Sequence, residues 1–269
     1  LAGLIIGIIL GILGIIATVY FGIKALRPKV PFELQEDIVK IRAELHQVAL
    51  YLDGLPKTKD KNKKALFQKG ISLMAEYKYE ESIKSFRKCL GLETEGSEKV
   101  ALLILIGNSF YAWNKWNQAL SSWEEALDAA EKANDERGQA AALGNLGLVY
   151  QTKGEPDKAI EFYNKSLNIK EKIADEYGMA QTFNNLGLAY KDKGEWDTAI
   201  EFYNKDLEIS KKIGDEHGMA QTKANIGILY KEQGKKEEAR KLLEESLRTL
   251  EKTGDRPSAE RTRKHLKDL

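Results

Sequence analysis

Four glycines stand forty residues apart in this chain: Gly107, Gly147, Gly187 and Gly227. Each follows an aliphatic residue and stands three positions before an aromatic one: Ile106-Gly107-x-x-Phe110, Leu146-Gly147-x-x-Tyr150, Leu186-Gly187-x-x-Tyr190 and Ile226-Gly227-x-x-Tyr230. Self-similarity at such a period marks stacked units, none of which buries its apolar face alone. A chain built this way spreads its core along an axis. It favours partner binding along an extended surface over catalysis.

Each period accommodates two amphipathic helices. Around Gly147, the pattern predicts a helix A over 139–153, a turn at Gly154 and Pro156, and a helix B over 157–174. Ala159, Tyr163 and Leu167 are the inward positions of that helix B. They recur as Ala199, Tyr203 and Leu207, as Ala239, Leu243 and Leu247, and upstream as Ala119, Trp123 and Leu127. Small residues at Gly147 and Ala159 let the two helices approach, and the aromatics fill the space beside them as core. A weaker unit begins near Lys63 and keeps Gly70, Tyr79, Phe86 and Leu90, with Ser82 and Cys89 at small-residue positions. After the fifth unit, 255–269 reads as one further helix A. Pro257 suits its first turn, and its charges suit a cap on the stack.

The wording apolar-x-x-Leu-Gly-x-x-Tyr, then Gly-x-aromatic-x-x-Ala, then an aromatic, resembles the tetratricopeptide repeat. The forty-residue period is similar to that of the Pins/LGN-type and kinesin-light-chain-type subgroup. So are the phrases Gly144-Asn145-Leu146-Gly147 and Asn184-Asn185-Leu186-Gly187, and the pairs Asp135-Glu136, Asp175-Glu176 and Asp215-Glu216. The resemblance covers residues 63–269. It implies an all-α fold, a right-handed α-solenoid of helix pairs whose A helices line a concave groove.

Asn145, Asn185 and Asn225 hold one equivalent position on that groove. Mid-helix asparagine costs about 0.5 kcal/mol relative to alanine. The resemblance implies a reason: an amide there holds the backbone of an extended peptide, donating and accepting at once. Inheritance by repeat duplication is the alternative. Asn184, Gln181, Gln221, Lys191, Lys231, Leu148, Leu188 and Ile228 complete the expected partner-binding set. The groove is mixed in character and lacks the basic set with which chaperone-binding members grip a C-terminal carboxylate.

Residues 1–23 carry no charge. As a helix they span roughly 34 Å, enough for a hydrocarbon core of about 30 Å. A signal peptide has a shorter apolar region and a basic start. The reading is a transmembrane helix over 1–26. The chain begins at Leu1, so processing of a longer precursor fits, although a pilin-like protein would have Glu where Ile5 stands. Gly3, Gly7 and Gly11 share one face, which suits self-association; glycine is also common in membrane helices. Lys24, Arg27 and Lys29 favour a cytoplasmic flank and a cytoplasmic repeat array.

Pro28 and Pro31 open a stalk over 27–56. There Leu34, Ile38, Ile41, Leu45, Val48 and Leu52 form a heptad seam. It serves either an oligomer or an amphipathic helix lying on the first repeat or the membrane. A basic linker over 57–64 leads to five units over 65–254.

A net charge of +1 gives no electrostatic case for nucleic acid. The one cysteine, Cys89, permits no internal disulfide. His46, His217 and His265 lack metal-ligand spacing. Neither a phosphate-binding glycine loop nor a His-Glu-x-x-His run is present. No catalysis, cofactor or metal is expected. The expected partners are a protein or peptide, membrane lipid and a second copy of the chain, in a membrane-anchored scaffold. The alternatives are an oligomeric membrane effector and an assembly factor for a membrane complex.

Overall fold

The computed structural model describes residues 61–92 and 96–269. They form eleven α-helices, with no strand among the described residues. Five antiparallel pairs follow one another. They are α1 (Lys61–Ala75) with α2 (Tyr79–Leu90), α3 (Gly96–Ala112) with α4 (Trp116–Lys132), α5 (Glu136–Thr152) with α6 (Pro156–Lys172), α7 (Glu176–Asp192) with α8 (Trp196–Ile213), and α9 (Glu216–Glu232) with α10 (Lys236–Thr253). A last helix, α11 (Arg256–Lys267), takes the place of a sixth helix A. Among the described residues no helix is long and apolar enough to cross a membrane. The transmembrane reading of 1–26, the glycine face at Gly3, Gly7 and Gly11, and the seam from Leu34 to Leu52 lie outside the described residues.

Local chemistry sets the helix starts. Asp135, Asp175 and Asp215 accept from the backbone N–H groups of Gly138, Gly178 and Gly218 at 2.9, 3.0 and 2.8 Å. Asp255 does the same for Ser258 at 3.1 Å. These caps satisfy orphan donors at the N-termini of α5, α7, α9 and α11. They also explain why α5 begins at Glu136, upstream of where apolar periodicity predicts it.

The glycine of the forty-residue period is a packing requirement. A Cβ on Gly147 would lie 2.6 Å from the Tyr163 ring, and one on Gly187 would lie 2.5 Å from that of Tyr203. Both tyrosines are fully buried. The two helices of a pair therefore meet along a glycine, and the facing ring fills the contact. The core runs as successive clusters. One joins Phe67, Phe86, Leu105 and Trp123; later ones centre on Tyr163 with Leu186 and on Tyr203 with Leu229.

Residues 61–64, the described part of the stretch read as a basic linker over 57–64, lie in helix α1. Lys63 is buried, and its Nζ lies 2.7 Å from the Glu98 carboxylate on α3. A tertiary ion pair draws a residue of linker-like composition into the first helix.

Candidate peptide-binding groove

In units two to five, helix A packs on its own helix B and on the B helix before it. The A helices of units two to five also touch directly, as α3 with α5, α5 with α7 and α7 with α9, and α9 touches α11. This A-to-A row is the inner side of the stack. The side chains on it that face neither the partner B helix nor the next unit form the candidate site.

The three equivalent asparagines differ in what they do. Asn145 Nδ2 donates to Asn108 Oδ1 on α3 at 3.3 Å, which ties two A helices together. Asn185 and Asn225 are half-buried and make no side-chain hydrogen bond among the described residues. Asn184 turns its amide inward: its Nδ2 donates to Thr222 Oγ1 at 2.7 Å and to Asp206 Oδ2 at 3.1 Å. Asp206 also accepts from Ser210 at 2.8 Å and from the Thr222 hydroxyl. Burial pushes the Asp206 carboxyl above its ordinary range, against these hydrogen bonds. Asn184 therefore joins α7 to α8 and α9.

The last unit is covered by its cap. Leu266 and Leu269 pack against the cluster of Ala224, Ile228 and Leu243. Lys231 Nζ donates to the His265 carbonyl at 3.4 Å and lies 3.7 Å from the Asp268 carboxylate. Gln221 Nε2 lies 3.1 Å from His217 Nε2 and 3.4 Å from Asp255 Oδ2. One unit earlier no C-terminal segment covers the surface, and the Gln181 side chain hydrogen-bonds to Tyr177. Gln181 is exposed, and Lys191 is half-exposed with no ion pair among the described residues. Leu148 is half-buried, and Leu188 packs at the margin of the Tyr203 cluster. Leu148 on α5 and Gln181, Asn185 and Lys191 on α7 are left uncovered by the C-terminal segment, while Gln221, Ile228 and Lys231 are engaged by it.

A row of residues along the C-terminal ends of the A helices escaped the sequence reading. Tyr111 Oη lies 2.9 Å from Thr152 Oγ1, and Gln151 Nε2 donates to Asp192 Oδ2 at 2.9 Å. Both pairs are offset by forty-one residues, one more than the repeat, and a search at that lag would find them. The Tyr163 hydroxyl donates to Gln151 Oε1 at 2.9 Å. In the next unit Lys191 replaces Gln151, and an ammonium group accepts nothing. The Tyr203 hydroxyl is accordingly buried without a partner.

Lys170 Nζ donates to Thr182 Oγ1 at 2.8 Å and to the Gly178 carbonyl at 3.3 Å. Burial holds its pKa down to about 8. Cys89 is buried, with Sγ 3.5 Å from the Lys63 carbonyl. No cluster of three metal-ligating side chains occurs among the described residues.

The tetratricopeptide repeat profile matches residues 98–172 and 178–252, and a second profile of the same repeat matches 63–95. The chain belongs to the tetratricopeptide repeat family. Among solved structures, BtubC (BKLC) from P. vanneervenii is similar at a TM-score of 0.64 and 17% identity, over 84% of this chain and 93% of that one. The nearly identical repeats of a putative kinesin light chain from Podosopora anserina give 0.59 and 16%, over 74% and 100%. The Rap conjugation gene regulator of plasmid pLS20, in complex with the Phr* peptide, gives 0.62 and 17%, over 74% of this chain and 56% of that one. These likenesses establish the fold. No curated protein matches the sequence.

Proposed function

We propose that this protein is a membrane-anchored scaffold that recruits a protein or peptide segment on the inner face of its third and fourth units. The observation that carries the reading is the set Leu148, Gln181, Asn185 and Lys191. Asn185 and Lys191 lie on α7 without hydrogen bonds or ion pairs among the described residues, on a face whose other polar groups are mostly tied to neighbours. An uncommitted amide, with a cation and aliphatic groups on the same helix, suits a peptide backbone with mixed side chains. The Rap regulator that shares the fold is in complex with a peptide, which supports a peptide as the class of partner.

The anchor rests on the uncharged run 1–23. Association of copies through Gly3, Gly7 and Gly11 would multiply grooves and raise apparent affinity through effective concentration. The test is affinity capture with full-length protein beside a variant carrying Asn145→Ala, Asn185→Ala and Asn225→Ala. A protein retained by the first and lost from the second, at unchanged helicity, supports the reading. Capture indifferent to the three substitutions removes it.

A further inference from the structure

Three large apolar side chains are exposed among the described residues, Tyr77 at 79% and, more modestly, Trp113 at 37% and Trp116 at 38%. All three flank the A-to-B turns of the first two units, and these turns lie along one edge of the stack. The corresponding later turns carry Gly154, Gly194 and Gly234 at the left-handed position, with φ of 75–78°. The second unit has Asn114 there, a residue type that tolerates the conformation. In the first unit that position is Tyr77, at φ 61°. A bulky side chain there strains the backbone, and glycine relieves it. The Tyr77 ring recovers little from packing, since its one ring contact among the described residues is an edge approach to Tyr79 at 6.3 Å. Strain kept under an exposed aromatic points to a contact outside the array.

We propose that this edge rests in the headgroup region of a lipid bilayer, with Tyr77, Trp113 and Trp116 as interfacial anchors. Three observations select a bilayer. The exposed residues are tyrosine and tryptophan, with no aliphatic among them, which is the composition of membrane interfaces. Lys115 lies over the Trp113 ring, its Nζ 5.2 Å from the centroid, so that an amphipathic ring and a cation share one turn. The two turns belong to the units nearest in sequence to the uncharged run 1–23, and a fully stretched chain as long as the intervening 24–60 reaches about 120 Å. The contact is apolar more than electrostatic. Lys78 beside Tyr77 is paired with Glu76 at 2.7 Å, and Glu80 and Glu81 follow it.

This inference rests on the membrane anchor of the proposed function, and one experiment separates the two. Full-length protein is reconstituted into phosphatidylcholine vesicles brominated high on the acyl chain. Tryptophan emission is compared with that of a Trp113→Phe, Trp116→Phe variant, which keeps the apolar rings and removes the two fluorophores. Flotation after an alkaline wash reports the anchor independently. The expected result is flotation of both proteins, with bromine quenching in the wild type that falls in the variant to the background of Trp123 and Trp196. That quenching should persist in high salt. Flotation with equal quenching in both proteins overturns the edge contact and leaves the anchor standing. Failure to float overturns both. Trp113 and Trp116 shielded from aqueous iodide but untouched by bromine would overturn the bilayer contact and assign the edge to a protein.

Discussion

Tyr203 and Lys191 show how one residue can trade stability for availability. In the third unit a tyrosine hydroxyl finds a glutamine; in the fourth, a lysine stands one repeat on from that glutamine and the hydroxyl stays unpaired. Lys191→Gln should restore the acceptor and stabilise the fold by about 1 kcal/mol. Urea denaturation reads this as a higher midpoint at unchanged slope, and a midpoint at or below that of the wild type would contradict it. Lys170 titrates in a defined window. Its pKa is about 8 in the folded protein, against 10.5 for an exposed lysine. Between the two, the unfolded chain binds more protons, so stability rises as pH climbs through that window. Below it both states hold the proton and the penalty is present in full. Lys170→Met should flatten this rise, measured as the denaturation midpoint across the window.

At the scale of the element, the helix pairs were legible because the pattern recurs from unit to unit. Glycine against a buried ring, a turn glycine, and an aspartate before helix A all recur with the period. Asp175→Ala should cost about 1 kcal/mol by uncapping α7, seen as a lower denaturation midpoint. Tyr77→Gly should act in the opposite sense. By removing left-handed strain in the α1–α2 turn it should raise that midpoint, adding about 1 kcal/mol. What was not legible depends on contacts between units. Asn184 and Asn185 are adjacent asparagines on one helix. The sequence does not tell that the first is held by Asp206 and Thr222 while the second is uncommitted. Nor does the composition of 57–64 reveal that Lys63 finds Glu98. The pairing of Gln151 with Asp192 was hidden because stacking shifts the register by one residue from the repeat.

For the molecule as a whole, the repeat array divides its inner face into parts. Units two and three are bridged by Asn145 with Asn108, units four and five by Asn184, and unit five is closed by α11. The stretch with uncommitted groups lies at the third and fourth units. A partner that binds there should protect α5 and α7 and leave the caps of α9 and α11 unchanged. Site-specific photocrosslinking in the full-length protein tests this most directly, with one crosslinker at Gln181 on the inner face of α7 and another at Glu201, exposed on α8. An adduct with the captured partner from position 181 and none from 201 is the expected result. An adduct from 201 alone would place the partner on the outer face and contradict the groove.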